Sequence, residues 1–159
     1  METEREEVRR RIERFTETCR SARVKLTMQR LEIFREVAKS GEHPDAEAIH
    51  RGVRKRLPTV SLDTVYRTLW LLVDLGLISA VGLSRERVRF DANMSPHHHF
   101  VCTECGLARD FHHPAFDALP PPKDVAAMGF VRTAHVELRG LCSRCAQRKE
   151  RNRTSRKTK

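Results

Sequence analysis

Apolar residues in the first half of the chain recur with the period of a helix. Val8, Ile12, Phe15 and Cys19 form one stripe of an amphipathic helix. Thr27 is placed to cap a second helix whose apolar face is Leu31, Phe34, Val37 and Ala38, with Ser40-Gly41 ending it. Asp45, after Pro44, caps a third that carries Ile49, Val53 and Leu57 until Pro58 stops it. Ser61 caps a fourth, burying Val65, Leu69, Leu72 and Val73, with Gly76 as its stop. Beyond Gly76 the period changes to two. Residues 77–81 and 88–90 read as short strands joined by a charged turn.

Helices closed by a two-stranded hairpin describe a winged helix, in which the fourth helix enters the DNA major groove and the hairpin lies along the backbone. Ser61 at the start of that helix, and Thr64, Tyr66, Arg67 and Thr68 on its outward side, offer polar groups to phosphates and base edges. Arg85 and Arg87 in the turn would meet the backbone. An ordinary solvated face has the same composition, so the pattern alone leaves both readings open. The hydrophobic pattern lapses over 91–96, which reads as a hinge. Strand patterns follow over 97–102, 107–111 and 130–139, with short helices near Pro114 and Lys123 on either side of Pro120-Pro121-Pro122. Phe130, Ala134, Val136 and Leu138 read as the apolar face of the last strand and His135 as part of its polar face. So small a second half needs a staple, a partner or both.

The net charge of +10 makes nucleic acid the first partner to consider. Residues 148–159 hold seven basic side chains and one acid, +6 of that total, in a polar tail expected to be disordered. No apolar run reaches the ~20 residues of a membrane span. The charged N-terminus lacks the apolar stretch of a signal peptide, so a cytoplasmic protein is expected.

Cys102-x-x-Cys105 and Cys142-x-x-Cys145 are two knuckles that together offer zinc a tetrahedral set of thiolates. Disulfides fit a cytoplasmic chain poorly, and a redox switch is the remaining alternative. Four thiolates close the coordination sphere, so one such Zn²⁺ per protomer would hold structure rather than react. Cys19 reads as a small core residue. His97-His98-His99 is a second concentration of donors. Alternation puts His97 and His99 on one face and His98 on the other. With Asp110 on the neighbouring strand and Asp91 in the hinge, they make a candidate site for a divalent ion. His112 and His113 read as surface residues.

The run Leu26-Thr27-Met28-Gln29-Arg30, then His43-Pro44, then Ser61-x-x-Thr64-Val65-Tyr66-Arg67-x-Leu69, resembles the DNA-binding half of the ferric uptake regulator superfamily. His97-His98-His99-Phe100-Val101-Cys102-x-x-Cys105-Gly106 and Cys142-x-x-Cys145 resemble its dimerisation half. The resemblance covers the chain to about Arg148. It implies an α+β fold, with a winged-helix DNA-binding domain over 1–90, a hinge over 91–96 and a small α/β dimerisation domain over 97–147. It also implies a homodimer that binds a palindromic double-stranded operator when metallated. Carried over position by position, the regulatory site falls on His43, Asp91, His97, His99 and Asp110, donors suited to Fe²⁺, Mn²⁺ or Zn²⁺. One ion held by both halves would bias the dimer toward its DNA-binding form.

Asp110 stands where iron and zinc sensors often carry Glu, and so resembles the peroxide-sensing branch. There, bound Fe²⁺ reacts with hydrogen peroxide, and the ligands matching His43 and His97 are oxidised, which ends repression. The alternative is an iron- or zinc-responsive repressor of metal uptake. In one respect the chain departs from the pattern. Many members carry a late-strand histidine where this chain has Ala134, and His135 comes one residue later, on the opposite strand face. The additional metal site served by that histidine, together with His98 and Asp117, is therefore not expected, and these read as surface residues.

Two rivals fit less well. A small metallohydrolase would need an open metal position and a general base in a pocket, and no HExxH or comparable motif is present. An RNA-binding zinc ribbon would want exposed aromatics, which make up only 6% of the chain. A regulator rather than an enzyme is expected, with no membrane partner and no small ligand beyond metal ion and peroxide.

Overall fold

A computed structural model describes residues 2–82, 88–131 and 134–157, which divide into two compact units at Met94 and Ser95. The first unit runs α1 (Glu2–Ser21), α2 (Met28–Ala38), α3 (Ala46–Arg54), α4 (Leu62–Asp74), β1 (Ser79–Val81) and β2 (Arg89–Asp91). The strands pair antiparallel with Ala80 opposite Phe90, which completes a winged helix. Thr27, Asp45 and Ser61 accept the amides of Arg30, Ala48 and Thr64 at the starts of α2, α3 and α4. Each such cap is worth ~1 kcal/mol. At the end of α4, Gly76 adopts φ 65° while the Leu77 amide returns to the Leu72 carbonyl, a left-handed turn that glycine enters without strain. Arg23 closes α1 in the same way at φ 55°.

Helices and wing share one core of Phe15, Ile33, Phe34, Val37, Ile49, Val53, Val65, Leu69, Leu72, Ile78 and Phe90. Phe15 stacks on Phe34 with ring centres 4.8 Å apart. Two polar side chains are buried, one of them against expectation. Thr68 is buried rather than outward, because it lies three residues from Val65 and four from Leu72, within the apolar face. Glu32 is buried and ion-paired with Arg35 and Arg56, and Arg56 also reaches Glu36 at 2.6 Å. That pairing offsets the desolvation of a buried carboxylate. Asp91, expected in a hinge, is instead the last residue of β2, opposite Ser79.

The second unit contains β3 (His98–Cys102), β4 (Ala108–Phe111), α5 (Pro114–Asp117), α6 (Lys123–Met128), β5 (Glu137–Gly140) and α7 (Ser143–Lys157). Its sheet has the order β4-β3-β5, antiparallel between β3 and β4 and parallel between β3 and β5. Of the strand expected over 130–139, the described residues form β5 only from 137 to 140. Just upstream, the Val136 amide donates to His98 Nδ1 rather than to a ladder carbonyl. Phe130, expected on an apolar face, is 89% exposed. The tail expected to be disordered is helical to Lys157. The second knuckle starts that helix, with the Ala146 amide bonded to the Cys142 carbonyl. No described helix is long and apolar enough to cross a membrane.

Candidate metal centres and DNA-binding face

The first knuckle is the turn between β3 and β4. Gly106 takes φ 69° there, and its amide donates to the Cys102 carbonyl. The second lies between β5 and α7, with Cys145 in the first helical turn. The four sulfurs lie within 4.8 Å of one another, and Cys105 Sγ and Cys142 Sγ are 3.9 Å apart. Zinc–sulfur bonds of ~2.3 Å in a tetrahedron require sulfurs about 3.8 Å apart, so the quartet fits a structural zinc. Its thiols ionise unevenly. Burial raises the Cys102 pKa, but the amides of Cys142, Cys105 and Glu104 outweigh burial and bring it to about 6. Burial and the neighbouring thiols push Cys145 up to about 12. Zinc uptake therefore displaces a proton from Cys145.

The β3–β4 register sets His99 opposite Asp110. Nε2 of His97 lies 2.8 Å from Nε2 of His99, and Asp110 Oδ1 is 3.5 and 3.4 Å from these two nitrogens. His97 Nδ1 donates to the Ser95 carbonyl at 2.7 Å, which turns the Nε2 lone pair toward the cluster. Two imidazole nitrogens and a carboxylate thus converge on a volume the size of one ion. Nothing in the sequence pointed to the Ser95 carbonyl, since a backbone acceptor leaves no mark in side-chain pattern.

In the first unit His43 Nε2 lies 3.8 Å from Asp91 Oδ2. The loop carrying His43 is tied to β2 by the Phe90 amide, which donates to the Pro44 carbonyl at 3.0 Å. His43 itself holds φ 49°, a left-handed strain of the kind that accumulates at functional positions. His98 corrects the sequence reading: it is buried, not a surface residue. Its Nε2 donates to Asp117 at 2.9 Å and its Nδ1 accepts the Val136 amide at 3.1 Å, so both ring nitrogens are spent on the protein.

At the start of α4, the capping Ser61 and Thr64 share a hydroxyl contact of 2.9 Å. Arg67 is exposed, with Asp63 at 3.8 Å. Tyr66 is half-buried, and burial, then the carboxylates of Glu47 and Asp45, raise its pKa. Arg85 and Arg87 lie outside the described residues.

A winged helix, a four-thiolate knuckle pair and a histidine-rich strand occur together here, and the profile of the Ferric uptake regulator family matches residues 21–138. The chain belongs to that family. As a ferric uptake regulator family protein it is a metal-dependent transcriptional regulator and not an enzyme. The "Peroxide-responsive repressor PerR" of Staphylococcus epidermidis is 29% identical over 92% of this chain and 98% of its own. A zinc-bound manganese uptake regulator is 29% identical, with TM-score 0.60 over 80% of this chain and 97% of its own. The Helicobacter pylori ferric uptake regulator shares the fold at TM-score 0.71 and 22% identity, over 87% of this chain and 93% of its own.

Proposed function

We propose that this regulator is a cytoplasmic, homodimeric repressor that binds a palindromic operator when metallated and releases it on exposure to hydrogen peroxide. The observation that carries this reading is the convergence of Asp110 on His97 and His99, a carboxylate shorter by one methylene than the Glu common in iron and zinc sensors. The similarity to peroxide-responsive repressors over nearly the whole chain supports it. His43 and Asp91 would join the three donors of the second unit around one Fe²⁺ or Mn²⁺. When bound, Fe²⁺ supplies the electrons that cleave peroxide. The chain's own residues would orient the ion, through the Ser95 carbonyl behind His97, and would hold the buried His43 and His97 rings beside it. Addition of one oxygen to either ring would weaken a ligand, and the constraint between the halves would lapse. Tyr66, Arg67, Ser61 and Thr64 would face the operator, with Arg85 and Arg87 on its backbone.

The test is peptide-mapped mass spectrometry of Fe²⁺-loaded protein after brief exposure to dilute peroxide. One added oxygen at His43 or His97, absent from a Mn²⁺-loaded control, is expected. Unmodified histidines, with operator binding still following metal supply, would instead establish a metal-uptake repressor. The similarity to the manganese uptake regulator favours that second reading.

A further inference from the structure

Helix α7 lies beyond the residues that the family profile matches. It carries Arg144, Arg148, Lys149, Arg151, Arg153, Arg156 and Lys157 against one acid, Glu150. Its only apolar residues, Cys145 and Ala146, belong to the first turn, where Cys145 is a zinc thiol. Arg148 and Lys149 lie 3.8 and 2.7 Å from Glu104 in the other knuckle, so the zinc site and one carboxylate pin the first two turns. The rest is polar all round. Such a helix has no core to pack against, and its cations stand at like-charge spacings: Arg144 with Arg148, and Lys149 with Arg153. An anion laid along it would relieve that repulsion.

We infer that α7 is a second, sequence-independent DNA contact that grips phosphates of the operator duplex while the winged helix reads bases. This rests on the DNA-binding reading above. Charge complementarity selects the partner: duplex DNA presents one phosphate charge per ~1.7 Å. A membrane surface would call for an apolar stripe that α7 lacks, and single-stranded RNA for aromatic platforms, of which it has none.

The test compares the full-length, metal-loaded protein with the variant Arg151→Gln/Arg153→Gln/Arg156→Gln/Lys157→Gln. Fluorescence anisotropy on a mixed-sequence duplex follows binding across a salt series. Affinity at about 0.1 M salt should fall about tenfold or more, and the slope of log affinity on log salt should become shallower by about 2 to 4. Arg151→Lys/Arg153→Lys/Arg156→Lys should keep both, since a phosphate contact needs only the charge. Zinc content and dimer mass, measured alongside, should match wild type. Unchanged affinity and slope in the glutamine variant, with Arg67→Ala still weakening binding, would overturn the inference and spare the DNA-binding reading. No binding of wild type to any duplex would remove that reading itself. A larger loss on single-stranded RNA or on phosphatidylserine vesicles than on duplex would assign α7 to another partner and overturn the inference.

Discussion

Up to Met94 the chain buries Phe15, Ile33, Phe34, Ile49, Leu69, Leu72, Ile78 and Phe90 in one cluster that draws on all four helices and the wing. Among the described residues from Ser95 onward, the buried apolar side chains are Val101, Ala108 and the thiols Cys102 and Cys145, while Met128 and Phe130 are 83% and 89% exposed. The first unit rests on many buried side chains, each contributing about 1.5–3 kcal/mol. The second rests on four sulfurs that act together or not at all. The same mutation class should therefore act very differently in the two.

The largest effect expected is at the quartet. Cys102→Ser, or removal of zinc by a chelator, should cost on the order of 10 kcal/mol and unfold the second unit. In heteronuclear NMR the β3–β4–β5 amides should collapse into the unfolded region while those of α2 to α4 persist. A zinc-free variant with its sheet intact would break the contrast. Phe34→Ala should cost about 3–5 kcal/mol in the first unit, read as a lowered unfolding midpoint with zinc content unchanged. Thr27→Ala removes the Arg30 cap and should cost ~1 kcal/mol in denaturant titration. The smallest change is a gain. Arg23→Gly relieves a left-handed arginine and should stabilise by no more than about 1 kcal/mol.

This difference also explains what was legible in the sequence. Helical periodicity and capping residues placed α1 to α4, because a distributed core leaves a repeating signature. The thiol knuckles were legible because metal chemistry restricts both residue type and spacing. Strand alternation put His97 and His99 on one side, and a hairpin brings Asp110 beside them. Thr68 was misread because a hydroxyl counts as polar even when the helix turns it inward. His98 was misread because its partners, Asp117 and the Val136 amide, come from distant segments with no local pattern. The helical state of α7 was missed because composition alone argued for disorder, whereas the turn at Cys142 and Cys145 starts a helix that the basic residues continue.

The proposed regulatory site calls for one ion held by His43 and Asp91 together with His97, His99 and Asp110. A Mn²⁺ titration followed by electron paramagnetic resonance, on zinc-loaded wild type, His43→Ala and Asp110→Ala, tests it most directly. One tight Mn²⁺ per protomer is expected in wild type, with loss of that same ion in both variants and zinc retained. Undiminished Mn²⁺ affinity in His43→Ala, with loss only in Asp110→Ala, would place the ion wholly within the second unit and rule out the shared site.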